Sequence, residues 1–92
     1  INIIKNNMSG PSIEELINKL VDKPDDVNLI IDIADKHFSL QNYESGFELL
    51  LENYLKDKNK IKEKMVEYFG VLGNSNNFTI QYRKKLSQIM FS

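Results

Sequence analysis

The stretch from Asp26 to Lys56, DVNLIIDIADKHFSLQNYESGFELLLENYLK, limits what this chain can fold into more than any other. Its apolar residues recur at three- and four-residue intervals on both sides of a short polar turn, which predicts two amphipathic helices folded back on each other. In the first, Val27, Ile30, Ile31, Ala34 and Phe38 make one stripe. Leu29 and Ile33 widen it, so this helix is expected to pack on more than one side. In the second, Tyr43, Phe47, Leu50, Leu51, Tyr54 and Leu55 repeat the pattern. Ala34 and Gly46 fall where the Cβ atoms of two tightly paired helices would collide. A glycine inside a helix costs roughly 1 kcal/mol relative to alanine, so Gly46 calls for a packing reason. The prediction is an αα-hairpin.

Upstream, Ser12 and Glu15 have the spacing of a capping box, which starts a helix carrying Ile13, Leu16, Ile17, Leu20 and Val21 on one face. That helix fades at Asp22 to Pro24, and either Asp25 or Asp26 suits the N-cap of the next. Downstream, the lysine-rich connection LKDKNKIKEK leads into a helix from about Asn59 to Leu72, with Ile61, Met65, Tyr68, Phe69 and Leu72 at helical spacing. Gly70 weakens its last turn and Gly73 is a natural C-cap. After the polar cluster GNSNN, a last helix runs from about Asn77 to Phe91, with Phe78, Tyr82, Leu86, Ile89 and Met90 as its buried edge and Phe91 docked. Strand signals are missing. The expected fold class is all-α, an array of four to five helices over residues 12–92. Residues 1–11, rich in Asn and turn formers, read as a linker or remnant. A start at Ile1 rather than methionine reads as an excised domain or processed fragment.

Ninety-two residues make one domain with a modest core and no room for a large active-site cleft. A 41% hydrophobic, 27% charged composition is that of an ordinary soluble chain. No apolar run approaches the roughly 18 residues of a membrane span, and no secretory segment opens the chain. The lack of cysteine removes disulfides, thiolate nucleophiles and Cys-based zinc sites, and fits a reducing, cytoplasmic setting. His37 is the one histidine and has no Cys, Ser or second His to form a constellation, so it reads as a packed residue. Asp32 and Asp35 share a helix face but lack the further ligands a cation needs. GVLGNSNN has no phosphate-cradling Lys-Ser/Thr ending. No catalytic, cofactor-binding or metal residue is expected.

The net charge of −1 hides an asymmetry: residues 12–57 hold eleven acids and four bases, residues 58–92 two acids and seven bases. Such halves can steer a partner or can be two solvated faces that attract each other weakly. The lysines at 56, 58, 60, 62 and 64, with Arg83, Lys84 and Lys85, raise nucleic acid as a partner. Alternate lysines do not share one helix face, however, and a slightly acidic chain lacks the basic balance of such proteins. Arg83 is better suited to clamping the last helix to an acid or a helix end.

The hairpin has the spacing of a tetratricopeptide repeat, a helix–turn–helix unit of about 34 residues. Ala34, Tyr43 and Gly46 occupy its small, aromatic and small positions, and Leu50 its large apolar one. The departures are His37 at a usually aromatic place and Asn53 where alanine is preferred. Taken with IEELINKLVDKPDD, FELLLENYLKDK and EYFGVLGNSNNFTIQYRKKLSQIMFS, the chain resembles the C-terminal tetratricopeptide domain of bacterial thioredoxin-like co-chaperones of the YbbN (CnoX) type. The closing Tyr82-Arg83-Lys84-Lys85-Leu86 through Met90-Phe91 carries much of that resemblance, which spans Ile13 to Ser92. It weakens at Lys56 to Lys64, where that family usually carries Arg, Asp and Trp.

The resemblance implies a TPR-like helical hairpin array without catalysis, binding unfolded clients and working with a chaperonin or a DnaK-type chaperone. The thioredoxin domain that would precede it lies outside these residues, and docking on that domain or self-association is the alternative function. Helix A of a repeat lines the concave groove, so Asn28, Ile31, Asp35 and Phe38 are the expected partner-binding residues. The competing expectation is that Ile31 and Phe38 pack on a neighbouring helix. Ala34, Tyr43, Gly46, Tyr82 and Arg83 are expected to be structural.

Overall fold

The computed structural model describes residues 12–91; the linker reading of residues 1–11 lies outside them. Among the described residues five α-helices follow one another: α1 (Ile13–Asp22), α2 (Val27–Ser39), α3 (Tyr43–Glu52), α4 (Lys58–Leu72) and α5 (Asn77–Met90), with a 3-10 turn at Tyr54–Lys56. No strand occurs among the described residues. The helices form a slab 48 × 33 × 15 Å across its Cα atoms, so most side chains lie near one of its two surfaces.

Four of the five helices start where a short polar side chain takes an orphan backbone donor; Asn42, before α3, makes no such bond. Ser12 and Glu15 form the reciprocal capping box. Asp26, rather than Asp25, accepts from Leu29 N at 3.2 Å. Asp57 and Asn76 cap α4 and α5, accepting from Lys60 N and Phe78 N. Gly73 closes α4 at φ +95°, a conformation open to glycine at little cost.

Two clusters fill the core. Leu16 of α1 meets Leu29 and Ile33 of α2. Ala34, Phe47, Leu50, Tyr54, Ile61, Met65, Tyr68, Phe69, Tyr82 and Leu86 form the larger one. The broad apolar face of α2 is thereby explained, because Leu29 and Ile33 serve α1 while Ala34 serves the rest. Between α2 and α3, a Cβ built on Gly46 would stand 2.6 Å from Phe38 Cδ1 and 3.3 Å from the Ala34 carbonyl. Gly46 therefore lets the Phe38 ring lie flat across the hairpin.

Three expectations need correction. The second hairpin helix ends at Glu52, where Asn53 donates from Nδ2 to the Leu49 carbonyl at 2.8 Å and terminates it. The tighter 3-10 turn that follows keeps Tyr54 buried but rotates Leu55 outward to 76% exposure, removing it from the apolar face. Phe91 is not docked; it stands 81% exposed past the end of α5.

Candidate functional site

Helices α2 and α4 lie side by side, and so do α3 and α5, so the chain holds one complete hairpin followed by a second. What joins the hairpins is a four-residue device used twice. Tyr68 of α4 stacks on Phe38 of α2 with ring centroids 3.6 Å apart, and its hydroxyl donates to Asp35 Oδ1. Lys64 pairs with the same Asp35 at 3.4 Å and stands 5.5 Å from the centre of the Tyr68 ring. On the other side of the slab, Tyr82 of α5 stacks on Phe47 of α3 at 4.7 Å and donates to Glu48 Oε2 at 2.8 Å. Lys85 reaches Glu48 at 3.2 Å and lies 5.0 Å from the Tyr82 ring centre. Each tyrosine is held by ring and hydroxyl at once, by residues one repeat earlier.

The electrostatics follow from this geometry. Burial raises the Tyr68 and Tyr82 hydroxyl pKa values above 10, and the hydrogen bonds to Asp35 and Glu48 raise them further. Glu48 moves the other way, below its ordinary 4.5, mainly because the Tyr82 hydroxyl donates to its charged form and Lys85 adds to it. Burial disfavours the Lys64 ammonium, but Glu67 and Asp35 together outweigh that and raise its pKa.

Of the expected groove residues, Asn28 and Asp35 are exposed on the α2 flank that meets α4, and Asn28 Oδ1 accepts from Lys60 Nζ at 2.9 Å. Ile31 and Phe38 are half-buried against the larger core. Phe38 spends its ring on Tyr68, on Phe47 at 5.0 Å and on Tyr43 at 5.1 Å. The packing alternative accounts for most of its surface. Tyr43 also reaches Phe78 of α5 at 5.7 Å. Arg83 meets no acid: it donates to Asn74 Oδ1 at 3.1 Å, just past the end of α4, and covers the Phe69 ring at 5.4 Å.

The periodicity gives Tyr68 only a core place and Glu48 none, and Lys64 and Lys85 enter the sequence reading only as nucleic-acid candidates. The signal was there: Asp35 to Tyr68 and Glu48 to Tyr82 are 33 and 34 residues apart, the length of one repeat. The lysines divide by the helix-face spacing rule. Lys60 and Lys64, four apart on α4, meet Asn28 and Asp35, and Lys56 in the preceding 3-10 turn meets Asp25 and the Pro24 carbonyl. Two ion pairs, Lys64–Asp35 and Lys85–Glu48, join the basic half to the acidic one.

A family model described as a tetratricopeptide repeat matches residues 6–91. The chain belongs to the tetratricopeptide repeat family. No curated protein and no solved structure gives a match. Repeats of this family generally mediate protein–protein interaction and are typically not catalytic. Among the described residues, no group of three His, Cys, Asp or Glu side chains could hold a metal ion, and no helix is long and apolar enough to cross a membrane.

Proposed function

We propose that this tetratricopeptide chain is the protein-binding part of a thioredoxin-like co-chaperone, acting in the cytoplasm on unfolded clients alongside a chaperonin or DnaK-type partner. The observation that carries the reading is the paired flank of α2 and α4, where Asn28, Lys60, Asp35 and Lys64 form a polar row beside the half-buried Ile31 and Phe38. On this reading the first helix of each hairpin, α2 and then α4, is the one that lines the concave surface. A segment laid along them would meet hydrogen-bonding groups at intervals of about one helical turn, with apolar edges between.

The test is aggregation of a thermally unfolding client with and without the full chain at stoichiometric amounts. Suppression is expected, together with at least a partial loss in Asn28→Ala/Lys60→Glu. Those exposed positions are preferable to Phe38, whose removal would damage the core it packs in. No suppression by a chain shown to be helical and folded would overturn client binding and leave docking on a folded partner, such as a thioredoxin domain.

A further inference from the structure

A stack of repeats buries its apolar faces only against neighbours, and a true end repeat has a polar outer face. Among the described residues, the outward faces of α1 and of the α4–α5 pair are not polar throughout. On α4, Lys60, Lys64 and Tyr68 turn toward α2, so the row Lys62, Val66 and Gly70 turns away from it. On α5, Tyr82 and Lys85 turn toward α3, so Ile80 and Lys84 turn away from that helix, and Phe91 follows exposed just past the helix end. All six residues are exposed, and they belong to the C-terminal end face of the slab. Gly70 sits inside α4, yet a Cβ there would meet nothing within 4 Å, so nothing in this chain requires it. A helix glycine in open space permits close approach by another backbone.

At the opposite end, α1 buries Leu16 but leaves Ile17 and Val21 exposed, Val21 by 73%. Glu14 lies on the same stripe, seven residues before Val21. On α5 the interval from Lys84 to Phe91 is also seven residues. Laid parallel to α5, the outer stripe of α1 sets Glu14 against Lys84 and Val21 against Phe91 in one register. The charges on the two stripes match as well, Glu14 on α1 and Lys84 on α5, while Arg83 and Lys85 are engaged by Asn74 and Glu48.

We propose that copies of this chain associate head to tail, the α1 stripe Glu14–Ile17–Val21 of one docking on the Val66–Ile80–Lys84–Phe91 face of the next. The contact is heterologous, so it propagates rather than closing at two subunits. It is one helix wide, which places it among small, weak interfaces, and its charge pair makes it salt-sensitive. It uses the ends of the slab and leaves the α2–α4 flank open, so it stands or falls independently of client binding.

Sedimentation equilibrium of the full chain from about 10 μM to about 1 mM, at low and high salt, tests it. The weight-average mass is expected to climb past that of a dimer as concentration rises at low salt, and to fall back at high salt. Glu14→Lys and Lys84→Glu, both at exposed sites, are each expected to weaken association about tenfold, a difference of about 1.4 kcal/mol. Mixing the two variants in equal amounts recreates opposite-charge pairs and should restore growth. A monomer at every concentration, a plateau at the dimer, or no recovery on mixing would each overturn the proposal. Circular dichroism melts of the variants confirm that the fold itself is unchanged.

Discussion

Replacing Gly46 by alanine sets two effects of known sign against each other. On helix propensity alone the change should stabilise α3 by about 1 kcal/mol. The structure reverses this. The new methyl would stand 2.6 and 2.7 Å from Phe38 Cδ1 and Cε1, closer than carbon atoms approach, and 3.3 Å from the Ala34 carbonyl oxygen. Phe38 has little freedom to withdraw, because Tyr68 lies against one ring face at 3.6 Å and the edges of Phe47 and Tyr43 close the sides. Overpacking of this kind costs about 1–3 kcal/mol, and displacing Phe38 would also disturb the Tyr68 ring stacked on it. The expected net result is a loss of about 1–2 kcal/mol, seen as a fall in melting temperature of about 5–10 °C for a domain of this size. Thermal and urea unfolding followed by circular dichroism would measure it. In the Phe38→Leu background the same Gly46→Ala change should be neutral or stabilising, with a coupling of about 1 kcal/mol or more between the sites. A Gly46→Ala chain that melts at or above the parent temperature would refute the close-packing argument.

Thr79 is fully buried and its Oγ1 has no hydrogen-bond partner, so Thr79→Val should raise stability by about 1 kcal/mol in urea unfolding. Tyr82→Phe should cost about 1 kcal/mol and shrink in proportion when Glu48 is already Gln, which a double-mutant cycle reads directly. The pH dependence has two arms. Glu48 is held below 4.5 when folded, so its contribution is complete above that value and drains away as the pH falls through the folded pKa. The Tyr68 and Tyr82 values are raised from 10.0, so their contribution is complete below pH 10 and is lost as the pH climbs past it. Melting temperatures across pH 3–12 should therefore decline at both ends, and Tyr68→Phe/Tyr82→Phe should flatten the alkaline arm.

The hairpin itself was legible because helix formation depends on residues three and four apart, which lie together in the sequence. Val27 through Phe38, the Ser12–Glu15 capping box and the Gly73 terminus are local features of this kind, and the structure places them as the periodicity does. Gly46 was legible too, since a glycine in a strong helix pattern leaves few explanations other than close approach. The end of α3 was not. Whether Leu55 continues a helix or turns outward is decided by a 3-10 turn competing with an α-helix at a cost too small for local pattern to reveal.

The candidate site divides the same way. Sequence alone determined an all-α repeat fold, the order of its helices and the α2 face that carries Asn28, Ile31, Asp35 and Phe38, because each follows from short-range periodicity. Tertiary structure alone decided what those residues do. Phe38 became a packing residue once Tyr68 arrived from 30 positions away, and Asp35 became an anchor once the Tyr68 hydroxyl and the Lys64 ammonium converged on it. The five lysines separated into three that meet α2 and its approach and two, Lys58 and Lys62, that do not. Such partnerships depend on which helices lie side by side, and that is settled by the burial of two apolar clusters across the whole slab.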